Sequence, residues 1–398
     1  MNPMFHISER ASGLTNYYFA DKLAQLRRLQ SSGVDIINLG VGSPDLPASP
    51  LVLDAIQSDA AEPGSFAYQA YRGIPELREA LALYFQRDYG IEIEADGIVP
   101  LLGSKEGCGF IALAHLDAGD GALVPNPGYP TYSSATRLAG GIPVPFALTE
   151  AERYHPRVDV LEALFSTHTD SGCTIRMMWL NYPNMPTGAA PDPSRLRDVL
   201  HWASERKVLV VHDNPYARIL SKAAPFSLLA LSSEPDGVIE LHSMSKSHRM
   251  AGARMGFALG TPRAVAPLFR IATQFGSGMW RSMQRAAAAA LLEDGEALEA
   301  CNAIYAERQR EGVALLESLG CRVRPGQTGL FIWAEVPEGW DGDRLSDAVL
   351  HATGVFLTPG KVFGSEGNQF LRLSLCSPVD VIRSASQRLD NFELKQKE

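Results

Sequence analysis

The sequence predicts an α/β protein: a large domain with a mostly parallel sheet flanked by helices, plus a smaller α+β domain. Three observations carry that expectation. Between residues 98 and 260 short apolar runs alternate with helical patterns, which is how parallel strands with crossover helices read. After a helical stretch at 285–318 the pattern changes to short strand-like runs, LFIWAEV and FLRLSL, followed by terminal helices. At 398 residues the chain also exceeds what one hydrophobic core usually serves.

In order along the chain, residues 17–32 read as an amphipathic helix, followed by a short apolar strand around Ile36, Ile37 and Leu39 and the turn-rich GVGSPDLPASP. Residues 75–89 read as a helix with Pro75 in its first turn. The runs IVPLL, GALV, IRMMWL, VLVVH, VIELH and ARMGFAL then read as strands, with helices from Ser104, at 130–139 and at 193–206 between them. Residues 285–318 read as one long helix or a pair. These patterns set the large domain at 50–284 and the smaller one at 1–49 with 285–398.

Composition excludes several classes. Lys and Arg total 36 against 45 Asp and Glu, a formal charge of -9, which argues against general affinity for nucleic acid or an anionic membrane. The five cysteines (108, 173, 301, 321 and 376) are odd in number, far apart and without a CxxC pair, so neither a disulfide framework nor a zinc site is expected, and no metal. The N-terminus lacks the apolar run of a signal peptide, and no stretch is long and apolar enough for a membrane helix. A reducing cytoplasm is the expected location.

Polar residues stand just after the apolar runs: Asn126 after GALV, Asn181 after IRMMWL, Asp213 and Asn214 after VLVVH, Ser243 after VIELH. Ligands of open α/β sheets bind outside the carboxyl ends of the strands, so these residues are expected to converge. Three stretches suggest what they converge on. In the first, Ser243, Ser245 and Arg254 surround Lys246; hydroxyls and a guanidinium suit a phosphate and leave the lysine for covalent work, although a basic surface loop reads the same way. In the second, Gly103 ends a strand and Ser104 opens a helix whose free N–H groups suit an anion, although serine is also the ordinary N-cap. In the third, Asp213 at an apolar strand end needs a cationic partner, such as a protonated pyridine nitrogen, unless it merely caps the next turn; Tyr216 follows it closely.

These stretches resemble the class I and II aminotransferases, pyridoxal-phosphate enzymes of fold type I with an aspartate aminotransferase-like fold. The resemblance spans nearly the whole chain: NLGVGSPD (38–45), YQAYRGIPELREA (68–80), GSKEG (103–107), PNPGYPTY (125–132), NYPNMPTGA (181–189), DNPY (213–216), SMSKSHRMAGARMG (243–256) and FLRLS (370–374) stand in the family's order. It implies pyridoxal 5'-phosphate bound to Lys246 as a Schiff base, with Lys246 also the base that moves the substrate proton. Asp213 then keeps the pyridine nitrogen protonated, Tyr216 bonds the ring oxygen and Tyr129 stacks on the ring. Gly103, Ser104, Lys105, Ser243, Ser245 and Arg254 hold the phosphate, with Tyr68 reaching in from a partner subunit of a homodimer. Arg372, helped by the backbone at Gly40, binds the α-carboxylate.

The chain departs from the family where NNPTG is usual: Met185 replaces the asparagine expected at the ring oxygen, leaving Asn184 or Asn181 to substitute. The SHRMAG segment also differs from the commoner pattern, which has an asparagine before Met-Ala-Gly. The activity implied is transfer of an amino group from an L-amino acid to a 2-oxo acid, with glutamate and 2-oxoglutarate as one pair. GSKEG and PNPGYP look most like the branch holding diaminopimelate, methionine and aspartate aminotransferases, and Arg72 or Lys105 is expected to meet a distal carboxylate. A carbon–sulfur β-lyase of the same fold is the alternative. A non-catalytic ligand sensor is a remote one, since lysine, aspartate and arginine are all present.

Overall fold

The computed structural model describes residues 5–221, 223–390 and 392; the remaining positions, which include both ends of the expected smaller domain, lie outside the described residues. Among the described residues thirteen strands run in chain order. They are β1 (Ile37–Asn38), β2 (Ile98–Leu101), β3 (Gly121–Asn126), β4 (Ile142–Ala147), β5 (Ile175–Leu180), β6 (Leu209–Asp213), β7 (Val238–Ser243), β8 (Gly256–Leu259), β9 (Arg322–Val323), β10 (Phe331–Glu335), β11 (Val355–Phe356), β12 (Thr358–Pro359) and β13 (Phe370–Ser374).

Seven of them form the large sheet in the order β2-β8-β7-β6-β5-β3-β4. The five from β7 to β4 are mutually parallel, and only β8 runs against its neighbours. Twelve residues link β7 to β8, near the minimum for a parallel crossover, and the chain returns antiparallel instead. That reversal pairs Ser243 with Gly256, and Gly256 with Leu101. Ser243, the stretch preceding Gly256 and the end of β2 are thereby set side by side.

The central strands are apolar because both faces are covered: every residue of β7 is buried, as are nearly all of β5 and β6. In the large sheet the strand not expected from the sequence is β4, IPVPFA. Its prolines cannot donate to a ladder on both sides, which breaks the sequence pattern but is tolerated because β4 is the outermost strand. Outside that sheet β9, β11 and β12 were not expected either. Helices Pro50–Ala60, Val158–Asp170 and Pro262–Phe275 were likewise not foreseen.

Helix Pro75–Tyr89 matches its predicted bounds, starting on Pro75 and stopping at Gly90, whose φ of 66° favours glycine. The stretch expected at 285–318 is a pair, Arg281–Leu292 and Glu296–Ser318. The first of these packs its alanines against the helices 50–60 and 75–89, alongside the large sheet.

In the second body β12, β13, β10 and β9 form an antiparallel sheet. The N-terminal segment joins this body through β1, which pairs in parallel with β11. One apolar cluster runs from Leu123, Met178 and Leu180 of the large sheet to Phe331, Ile332 and Leu373 of the small one, so the two bodies share a core. A buried guanidinium ties the N-terminal turn to it: Arg308 holds Asp45 at 2.7 and 2.8 Å and also donates to the carbonyl of Leu375. Losing one member of a buried pair typically costs several kcal/mol. Arg308→Ala is expected to lower stability by about 3 kcal/mol in urea denaturation; a change below about 0.5 kcal/mol would show that the turn is held by packing alone.

Candidate active site

The carboxyl ends of β5, β6 and β7 open into a cleft of about 320 Å³ that the second body closes with Phe331, Phe363 and Arg372. Asp213 ends β6, and its strand neighbours are buried, so its carboxylate is shut from water at 4% exposure. One oxygen accepts from the Tyr132 hydroxyl at 2.9 Å; the other, Oδ1, is buried without a hydrogen bond among the described residues. Burial pushes its carboxyl up to about 6, against the hydrogen bond from Tyr132 and the charge of His212. A lone buried acceptor facing a cleft calls for a cation or a donor there.

Lys246 sits in the short helix Met244–Ser247 that the β7–β8 reversal winds, and its amine donates to the carbonyl of Gly42 at 2.7 Å. Burial, with the nearby charges of Arg372 and Arg254, lowers its basicity, which raises the share of neutral amine near neutral pH. Beside it the helix Ser104–His115 points its N-terminus into the cleft. Gly103 caps it at φ 91°, and a Cβ there would stand 2.5 Å from the Arg254 guanidinium, so only glycine lets the two approach. Arg254 is held by the carbonyls of Leu102 and Ala251, each at 3.0 Å, and has no acidic partner among the described residues. With Ser243 and Ser245 it leaves an anion cradle.

Arg372 comes from β13. It is 3% exposed, stacks 3.9 Å from the Phe331 ring centre and 4.5 Å from that of Phe363, and donates to the carbonyl of Gly40 at 2.8 Å. Its Nε has no partner, and no carboxylate meets it among the described residues. Burial brings it down to about 10, so it stays charged at neutral pH. Lys105, stacked 4.1 Å over the Tyr17 ring, is a second cation on the cleft with no acidic partner among the described residues.

Of the residues expected from the sequence, Ser104, Lys105, Tyr129, Asp213, Tyr216, Ser243, Ser245, Lys246, Arg254 and Arg372 line this one cleft. Gly103 and Gly40 stand behind it, each against an arginine, while Val41 and Gly42 form that part of the wall. Asn184 does not reach it. Its amide is used within its own turn, donating to the carbonyl of Asn181 and accepting from the Thr187 hydroxyl at 2.7 Å. Asn181 and Met185 face the cleft instead, with the Met185 sulfur 3.4 Å from Arg372. Tyr68 lies off its own chain's cleft and is 91% exposed. Arg72 is also elsewhere, over the Phe269 ring and bonded to the carbonyl of Asp96.

Tyr132 was expected only as part of a motif; its place three residues past Tyr129 in a helix starting at Pro130 was the available signal. Tyr17, Phe19, Phe331 and Phe363 carried none, because their position depends on how distant segments pack.

These groups fit pyridoxal phosphate. An amine, an orphaned acid for the ring nitrogen, a cradle for the phosphate and a buried unpaired guanidinium for a substrate carboxylate occur together. The family model of class I and II aminotransferases matches residues 34–389. An LL-diaminopimelate aminotransferase of Dehalococcoides mccartyi is 33% identical over 389 residues, which span 97% of this chain and 99% of that protein. The substrate-bound structure of BacF from Bacillus subtilis superposes with a TM-score of 0.93 at 30% identity, covering 99% of this chain and all of that one. An aspartate aminotransferase of Thermus thermophilus gives 0.88 at 25% identity, over 97% and 99%.

The raised carboxyl of Asp213 has a cost without cofactor. A carboxyl raised in the fold favours the folded state below its unfolded pKa near 4, and that advantage disappears as pH rises through about 6. Asp213→Asn has no such loss. The cofactor-free variant is expected to be about 3 kcal/mol more stable than the parent at pH 8, with the difference fading between pH 6 and 4. Urea denaturation at several pH values checks this, and an equal difference at all of them would disprove it.

Proposed function

This chain belongs to the class I and II aminotransferases, and from that premise we propose that it takes an amino group from a donor of the LL-diaminopimelate type and passes it to 2-oxoglutarate. It is a pyridoxal-phosphate-dependent enzyme acting on an amino acid and a 2-oxo acid. The observation that carries the substrate reading is the pair of cations, Arg372 and Lys105, which share one cleft and lack acidic partners among the described residues. Both 2-oxoglutarate and diaminopimelate carry two carboxylates. The name of the Dehalococcoides relative supports the donor.

In this reading Arg372 grips the α-carboxylate as a fork, oriented by the Gly40 carbonyl and the aromatic rings on either side. Lys105 takes the distal carboxylate. Asp213, Tyr216 and Tyr129 hold the ring of the cofactor by its nitrogen, its oxygen and its face, while Ser104, Ser243, Ser245 and Arg254 hold its phosphate. Asn181, not Asn184, stands in for the usual asparagine. Bound pyridoxal phosphate supplies a sink for the electron pair left when the substrate Cα–H bond breaks. Lys246 removes that proton and returns it elsewhere, a task suited to an amine whose basicity burial has lowered. Tyr216, whose hydroxyl burial pushes upward, stays a neutral donor.

The reading includes a homodimer in the cytoplasm. Phe66, Tyr68, Tyr71 and Phe275 are all at least half exposed, an apolar surface of the kind that subunit contacts cover. Tyr68 would complete the partner's cradle; sedimentation at the mass of one chain would remove this part. No helix among the described residues is long and apolar enough to cross a membrane. The boundary between the two bodies is proposed after Leu292, since helix Arg281–Leu292 packs with the large one.

Wild-type protein mixed with diaminopimelate and no acceptor is expected to release one equivalent of 2-oxo acid per site. Lys246→Ala should slow that release about a thousandfold. Lys105→Ala is expected to lower kcat/KM for 2-oxoglutarate about 10- to 100-fold while leaving pyruvate within twofold. Equal losses on the two acceptors would exclude Lys105 from distal recognition, and faster turnover of neutral aromatic donors would refute the dicarboxylate reading.

A further inference from the structure

Behind the cleft lies a charged cluster that the reading above leaves unused. Glu240, in the middle of β7, is completely buried, and its oxygens are saturated. Oε1 meets His212 Nδ1 at 2.7 Å and accepts from the Leu228 amide at 2.7 Å; Oε2 accepts from the Ser227 hydroxyl at 2.7 Å and meets His242 Nε2 at 3.3 Å. His212 and Glu240 are direct cross-strand partners, and His212 immediately precedes Asp213 on β6. Burial would raise the Glu240 carboxyl, but hydrogen bonds from the two histidines, and their charge, bring it far below the ordinary range.

A buried carboxylate needs a cation, and no lysine or arginine touches this one among the described residues. Among the described residues, the groups in contact with it that can carry a positive charge are the two histidines. His242 makes the longer contact, and its other nitrogen has no hydrogen bond among the described residues. His212 makes the short contact and has the Tyr182 carbonyl 3.0 Å from Nε2, an acceptor for its second N–H. The Tyr182 amide, 3.2 Å away, would suit the neutral ring instead. The remaining neighbours decide little: the Phe226 ring meets His212 edge-on, and Tyr89 lies near Glu240. On the other side, Asp213 faces Tyr132, Tyr216, Ser104 and Cys108.

We propose that His212 is an imidazolium held by Glu240, and that this pair is a positioning device whose charge, one residue behind Asp213, keeps Asp213 ionised for the cofactor's ring nitrogen. The same imidazolium, through Tyr182, anchors the turn that carries Asn181 and Met185 into the cleft. The inference rests on the role proposed for Asp213.

Two measurements test it. Nitrogen-15 spectra of the cofactor-free protein, with His212→Gln to assign the signals, are expected to show both His212 ring nitrogens protonated from pH 6 to 8.5. A neutral ring over that range overturns the proposal, whatever the variants do. Pyridoxal phosphate affinity is then followed over the same pH range. Asp213→Asn serves as the reference that contains every other titration, the phosphate's included. Glu240→Gln is expected to bind three- to tenfold more weakly at pH 6 yet within twofold of wild type at pH 8.5, because the acid loss specific to Asp213 moves to higher pH. Uniform weakening, or no change, means that the pair is structural and the proposal fails. If Asp213→Asn itself loses no pH dependence, the role of Asp213 fails instead.

Discussion

A carboxylate buried with one oxygen unpartnered is the constraint on which the rest of the site depends. Asp213 is expensive to keep in an apolar sheet. What makes it tolerable is the position of β6 in the middle of a parallel sheet. There its carboxyl end opens into a cleft; the Tyr132 hydroxyl donates to the carboxylate, the Asn181 amide donates to the Asp213 backbone carbonyl, and the buried His212–Glu240 contact lies one residue behind. The antiparallel return of β8 completes the arrangement by setting Ser243 and Arg254 next to the N-terminus of helix Ser104–His115. An acid for a ring nitrogen and a cradle for a phosphate are therefore products of one sheet register.

The substrate half of the cleft belongs to the other body. Arg372 rides on β13, and its orientation comes from the Gly40 carbonyl and from Phe331 and Phe363, none of which lies on the large sheet. The pairing of β1 with β11 and the clasp of Arg308 on Asp45 hold the N-terminal turn, which supplies Val41 and Gly42 to the cleft wall, against the small sheet. Cofactor groups and substrate groups thus have separate scaffolds, joined by a shared apolar core.

Much of this was legible in the sequence, because residues at strand ends are fixed by local pattern. Asp213, Ser243 and Asn181 follow apolar runs, and Lys246 lies in a link whose polar residues stand out. Where local pattern failed, tertiary packing decided. Of the two asparagines open as substitutes for the missing one, Asn184 has its side chain captured by Thr187 three residues on, and Asn181 is the one that faces the cleft. The edge position of β4 hid it, since its prolines read as loop. Tyr17 and Phe19 reach the cleft along an N-terminal path that no spacing encodes. His212 and Glu240 are an intermediate case: they are visible as polar residues in apolar strands, but become a pair only once the register of β6 and β7 is known.

The residue beside Arg372 shows why the site is left unsatisfied. A carboxylate at position 185 would neutralise the guanidinium and compete with an incoming carboxylate. The thioether of Met185 fills the space at 3.4 Å with only a weak acceptor. Arg372 is kept in register by the Gly40 carbonyl and by aromatic faces, which orient a cation without cancelling its charge. The same logic governs Asp213, whose free oxygen is matched to a cation from outside the chain. Both groups lower the stability of the protein alone, and both are returned to full pairing only when ligands arrive, so the instability of the cleft and its capacity to bind have one physical cause.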